Sequence, residues 1–109
     1  MRAWSRRNVL QAAFASAAAG VVRASQGPDS LHGLAQRKGM HFGTALGGRG
    51  LRDPAYLALV ESQCGMLVPE NELKMTAVQP APGEFRFERA EALVAYAEGK
   101  GLLMRGHTL

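Results

Sequence analysis

"VPENELKM", Val68 to Met75, follows directly on Met66 and Leu67. An apolar run meets a proline, and then a carboxylate, a carboxamide, a second carboxylate and an ammonium group follow. "GMLV" reads as a short buried strand, with glycine before it and proline after it. Glu70, Asn71 and Lys74 therefore stand just past the C-terminal end of that strand. What they do there depends on what the rest of the chain builds.

Upstream, "DPAYLALVES" opens with Asp53 as a helix cap and Pro54 at the first helical position. Tyr56, Leu59 and Val60 make its apolar face. "MHFGTAL" before it reads as a strand. "DSLHGLAQRKG" reads as a helix with Ser30 as cap, Leu31, Leu34 and Ala35 as apolar face and Gly39 as stop. Downstream, "QPAPGEF" is a loop by its proline and glycine content. Ala90, Leu93, Val94 and Ala97 then recur at helical spacing, Gly99 or Gly101 ends that helix, and "GLLMRG" is a third strand leading into "HTL". Strands alternating with helices predict parallel βα units and an α/β fold. Three strands with two crossovers leave edges and faces of a parallel sheet uncovered, whereas such sheets bury both faces. The expectation is the front portion of a larger α/β protein.

A chain of 109 residues makes at most one small domain. Its net charge of +4 suggests nucleic acid until the charges are located. Residues 1–24 hold Arg2, Arg6, Arg7 and Arg23 with no acid, leaving nine of the 13 basic residues to balance the nine acidic ones. No basic stripe with interleaved aromatics remains, so no nucleic-acid partner is expected. Those first residues read as an address instead. Arg6 and Arg7 precede an alanine-rich apolar run from Val9 to Val22, and "VRAS" offers a cleavage site after Ala24. With Ser5 before the pair and Val9-Leu10 after it, the stretch resembles a bacterial twin-arginine signal, with valine where that pattern usually has phenylalanine. The alternatives are an uncleaved membrane anchor or a plain amphipathic helix, and the run is short for a bilayer span. The expected division is a signal at 1–24 and a mature region at 25–109. The mature region would use the twin-arginine export machinery and be periplasmic or extracellular, without stable membrane association after cleavage.

Cys64 has no partner cysteine in the sequence, and His32, His41 and His107 lack ligand spacing, so neither a disulfide, a metal nor a cofactor is expected. Cys64 follows a helical pattern and precedes a strand, which predicts a small buried hydrophobe rather than a nucleophile. The glycine-rich "GTALGGRG" has neither a dinucleotide nor a phosphate-loop register and reads as a flexible turn.

In βα barrels the residues just past the strand C-termini face the active site. "PENELKM" sits there after the second strand, "HTL" after the third and "GTALGGRG" after the first. Two readings of the polar cluster stay open at this point. One is substrate contact; the other is an i, i+4 pair of Glu70 with Lys74 on a solvated helix start, worth a few tenths of a kcal/mol.

"PENELK", the "PAPGEFRF" loop and "RGHTL", in this order and spacing, closely resemble the N-terminal part of glycoside hydrolase family 10, the endo-1,4-β-xylanases. The similarity runs from Leu31 to Leu109. It implies the first three or so βα units of a (β/α)8 TIM barrel that cleaves xylan with retention of configuration. Glu70, Asn71 and Lys74 match the residues that hydrogen-bond the glycone sugars, and His107 matches the histidine at the cleavage subsite. Met75 stands where the family usually has tryptophan, Gln79 where it often has glutamate. The tryptophan that normally follows "HTL" by two positions is absent. Retention needs two carboxyl groups about 5 Å apart. The resemblance assigns these to glutamates on the fourth and seventh strands, beyond Leu109, so no catalytic residue is expected among the nine acids. The expected substrate is xylan or xylo-oligosaccharide. The alternatives are a catalytically inactive fragment or carbohydrate-binding remnant, and a sugar-active barrel of different linkage specificity.

Overall fold

The computed structural model describes residues 27–108. The expected leader, with Arg6, Arg7 and the cleavage site after Ala24, lies outside the described residues.

Local chemistry sets most element ends. Helix α1 (Leu31–Gln36) begins at Ser30, whose hydroxyl accepts the Gly33 N–H. Strand β1 (Gly43–Leu46) follows, then a 3-10 turn (Gly50–Arg52) and helix α2 (Pro54–Gln63). Asp53 caps α2, its carboxylate accepting the N–H groups of Ala55 and Tyr56 at 3.1 Å, and Pro54 occupies the first helical position, where a missing donor costs nothing. Strand β2 (Met66–Pro69) leads through a turn into the short helix α3 (Met75–Val78). Helix α4 (Glu88–Lys100) ends at Gly101, whose φ of 65° only glycine adopts freely. There the Leu102 N–H bonds back to the Ala97 carbonyl at 2.8 Å. Strand β3 (Leu103–Met104) closes the order.

The sheet runs β1-β2-β3 and is parallel throughout, as the alternation of strands and helices predicts. β1 pairs with β2 from Gly43↔Met66 to Leu46↔Pro69, and β2 with β3 at Met66↔Leu103 and Leu67↔Met104. Paired residues in register share a face. Thr44, Leu46, Leu67, Pro69 and Met104 thus lie on one side, and Leu46 and Leu67 pack there with Val60, Cys64, Leu93, Ala97 and Leu102 as the core. Burying a leucine such as Leu67 contributes about 1.5–3 kcal/mol. The opposite side carries Ala45, Met66, Val68 and Leu103, and Leu103 is 47% exposed. Helices α2 and α4 are latched toward their C-terminal ends. The Tyr96 hydroxyl donates to Glu61 at 2.7 Å, and the Lys100 ammonium reaches the same carboxylate at 3.0 Å.

Three expectations about packing are corrected. Leu31 and Leu34 are 48% and 45% exposed, and α1 instead buries His32. The His32 Nδ1 accepts the Phe42 N–H at 3.2 Å, and its ring lies over Gly65, where any Cβ would collide with it. Leu59 is exposed on α2 while Val60 is buried, and Val94 is exposed on α4 while Ala90, Leu93 and Ala97 are buried. In α2 and α4 the buried face is narrower than the apolar spacing suggested. Cys64 is buried as expected, and burial raises its thiol pKa, which keeps it protonated and unreactive.

Candidate functional site

The polar cluster does sit at the C-terminal edge of the parallel sheet. Pro69 ends β2 with its side buried, and the Glu70 N–H still bonds to the Leu46 carbonyl at 3.1 Å, so the chain leaves the sheet one residue past the proline. Glu70 and Asn71 then emerge into solvent. A turn closed by the Lys74 N–H on the Asn71 carbonyl carries the chain into α3.

Within this turn the Lys74 ammonium donates to Asn71 Oδ1 at 2.8 Å. Lys74 therefore pairs with the carboxamide and not with Glu70, and it precedes α3 as its cap residue instead of sitting inside a helix. The i, i+4 ion pair that would have explained the cluster as a solvated helix start does not form.

Glu72 is the residue that sequence reasoning passed over. It is 2% exposed, the one buried acid among the described residues. Oε1 accepts the Gly48 N–H and Oε2 the Asn71 N–H, both at 2.9 Å, and Arg89 at the start of α4 lies 3.7 Å away. Burial pushes its carboxyl pKa upward, but the backbone N–H bonds from Asn71, Gly48 and its own residue, with the charge of Arg89, outweigh it, so the net direction is downward. The group is held as a carboxylate. The Arg89 guanidinium is largely exposed, so its part is small beside the two N–H bonds. The glycine-rich turn is accordingly pinned at Gly48 by Glu72, and the Leu51 N–H bonds to the Gly47 carbonyl. Gly47 is tight as well, since a Cβ there would come within 2.7 Å of a Glu70 carboxylate oxygen.

These pieces wall a cleft of about 760 Å³ between the glycine-rich turn, the segment Glu70–Glu72 and the first turn of α4. Glu70 and Asn71 line it, and Lys74 joins it only through Asn71. His107 lies past the end of β3, exposed, and is not among the lining residues. Three of the four expected site residues are thus brought together, and the fourth stands apart on the neighbouring strand's exit. The cleft has carboxylate acceptors, an amide and arginines (Arg49, Arg52) around a mixed wall, which suits an array of hydroxyls. Among the described residues no group of three or more His, Cys, Asp or Glu is placed to hold a metal ion, and no helix is long and apolar enough to cross a membrane.

Comparison with known proteins identifies the family and the fold. Residues 30–109 match the model of glycosyl hydrolase family 10. The chain is 36% identical over 88 residues to endo-1,4-β-xylanase 5 of Pyricularia oryzae, covering 78% of this chain and 22% of the relative. To endo-1,4-β-xylanase 2 of Claviceps purpurea it is 39% identical over 69 residues, 63% of this chain and 21% of the relative. Among solved structures, the Penicillium canescens endo-1,4-β-xylanase XylE superposes with a TM-score of 0.68 at 33% identity, over 73% of this chain and 25% of that one. Xylanase 10B of Thermotoga maritima gives 0.65 at 26% identity, over 72% and 25%. The chain thus spans about a quarter of the length of these relatives, and its fold is that of the N-terminal part of their TIM barrel. With the match running from the cap of α1 to the last residue, and the polar turn after β2 inside it, the chain belongs to glycosyl hydrolase family 10.

Proposed function

We propose that the whole protein is an endo-1,4-β-xylanase that hydrolyses the xylan backbone with retention, and that this chain supplies part of its glycone-binding site. The observation that carries the reading is the turn after β2. Asn71 and Lys74 are held to each other at 2.8 Å at the sheet's C-terminal edge, beside Glu70 and above a buried acid. In a (β/α)8 barrel that edge faces the substrate. A carboxylate, a carboxamide and an ammonium group offer paired acceptors and donors to neighbouring sugar hydroxyls. Glu70, Asn71 and Lys74 would bind the glycone sugars, and His107, at the exit of the next strand, the sugar at the cleavage subsite.

Retaining hydrolysis needs a nucleophile and an acid/base about 5 Å apart. Glu72 is engaged by two backbone N–H groups, so its oxygens are not free for either part. The resemblance assigns the catalytic pair to other strands of the barrel, and the residues of this chain would supply sugar contacts to the assembled site. Residues 1–24 would direct export, with the mature protein from residue 25 acting on polysaccharide outside the cytoplasm. The test is the whole protein on xylan and on cellulose, with the product anomer followed by proton NMR. The expected result is xylo-oligosaccharides released first as the β-anomer and no release from cellulose. Cellulose cleavage at a comparable rate, or an α-anomer first, overturns the assignment.

A further inference from the structure

We infer that Glu72 is a positioning residue: its buried carboxylate couples the glycine-rich turn after β1 to the sugar-binding turn after β2. This rests on the glycone-site reading of Asn71 and Lys74. One oxygen accepts the Gly48 N–H and the other the Asn71 N–H, each at 2.9 Å, across 24 and one residues of sequence respectively. The two oxygens of one rigid, planar group thereby tie together the two loops beyond the last strand pair, Leu46↔Pro69. Asn71 in turn holds the Lys74 ammonium through Oδ1. Glu72 is one hydrogen bond from Asn71 and two from Lys74; it stands in the cleft wall but is only 2% exposed, with both oxygens taken by backbone N–H groups.

The residue type follows from the bonding. Both partners are donors, so both side-chain oxygens must be acceptors, which only an ionised carboxylate provides. A glutamine of the same shape presents an NH2 to one of the two N–H groups and leaves that donor without an acceptor in a buried place. The carboxylate also fits the space that Gly47 leaves, since a Cβ there would stand 3.3 Å from its Oε1. An acid that served only to stabilise the fold would affect every substrate alike. One that places Asn71 and Lys74 affects only substrates long enough to reach them.

The experiment compares Glu72→Gln with the parent in the whole protein, using xylohexaose and an aryl β-xyloside. In the same samples, hydrogen exchange is followed at the backbone amides of Gly48, Asn71 and β2. The expected result is a KM for xylohexaose raised about tenfold with kcat within about twofold, unchanged kinetics on the aryl xyloside, and faster exchange at Asn71 or Gly48 but not in β2. Equal loss on both substrates, or unchanged KM for xylohexaose in an active parent, overturns the positioning role. A parent inactive on xylan sinks the xylanase reading. In that case exchange at Gly48 and Asn71 still decides whether Glu72 couples the two turns, and amides unmoved by the substitution overturn it.

Discussion

Asn71 and Lys74 form a bonded pair, so their substitutions should not add. In the whole protein, Lys74→Ala would remove the charged donor proposed for a substrate hydroxyl, and a hydrogen bond involving a charged group contributes roughly 1.5–3 kcal/mol. That is roughly a tenfold to hundredfold loss of kcat/KM. Asn71→Ala removes a neutral group whose own bond is worth about 0.5–1.5 kcal/mol. It also releases the ammonium held at 2.8 Å, so part of the lysine's contribution goes with it. The double variant should therefore fall short of the sum of the singles, with a coupling of about 0.5–3 kcal/mol. Both side chains are exposed, so unfolding free energy should change by less than about 1 kcal/mol. The assay is kcat/KM on xylohexaose and on an aryl xyloside, with a thermal melt of each variant. The losses should appear on the long substrate alone. If both single variants keep full efficiency on xylohexaose, the turn after β2 is not a sugar site. If the losses add, the bond between the two side chains has no part in binding.

Gly65→Ala should drive the His32 ring from its seat and leave the Phe42 N–H without an acceptor, lowering unfolding free energy by about 2–4 kcal/mol in urea titration, with sugar kinetics of the surviving fold unchanged. The folded pKa of Glu61 is lowered by the Tyr96 hydroxyl first, against burial, and then by the bond and charge of Lys100; that of Glu72 is lowered as well. Depressed carboxyl values contribute stability that is present above the unfolded value of about 4.3 and lost as pH falls through the folded ones. The urea midpoint should accordingly hold from pH 7 to 5 and drop below about 4, and a midpoint level down to pH 3 would contradict both assignments. For the proposed leader, replacing Arg6 and Arg7 by lysine should retain the precursor in the cytoplasm, because twin-arginine recognition reads the guanidinium pair. Undiminished export of the double-lysine variant, followed by fractionation, would mean an ordinary secretory signal.

Where structure depends on neighbours in sequence, it was legible in advance. Asp53 before Pro54 and the glycine at position 101 mark helix ends through bonds to groups a few residues away. The strands followed from apolar runs between turn residues, and their parallel order from the helices between them. Packing at long range was not legible. His32 is buried because Gly65, on the far side of α2, leaves room for its ring, while Leu31 and Leu34 look more suited to a core. Near the strand end, position alone left the roles of Glu70, Asn71 and Lys74 open and the resemblance suggested them, whereas Glu72 looked like one more surface acid. Its partner Gly48 is 24 residues away and is a bare backbone donor, which no side-chain pattern announces. The one available hint was a carboxylate among polar residues beside a glycine-rich turn with N–H groups to satisfy.

The latch from Tyr96 to Glu61 has a bearing on how the molecule opens. It joins residues 35 apart, so β2, the turn after it, α3 and most of α4 lie within one closed ring of chain. Closing a ring of that length costs roughly 3 kcal/mol of chain entropy, and the latch shares its closure with Val60, Leu93 and Ala97 of the common core. Segments inside such a ring tend to open together as one cooperative unit. Tyr96→Phe should then merge the slow-exchanging amides of β2 with the faster ones of the surrounding loops. A half-buried hydroxyl between two helices would in this way govern how often the amides of the sheet's central strand meet water.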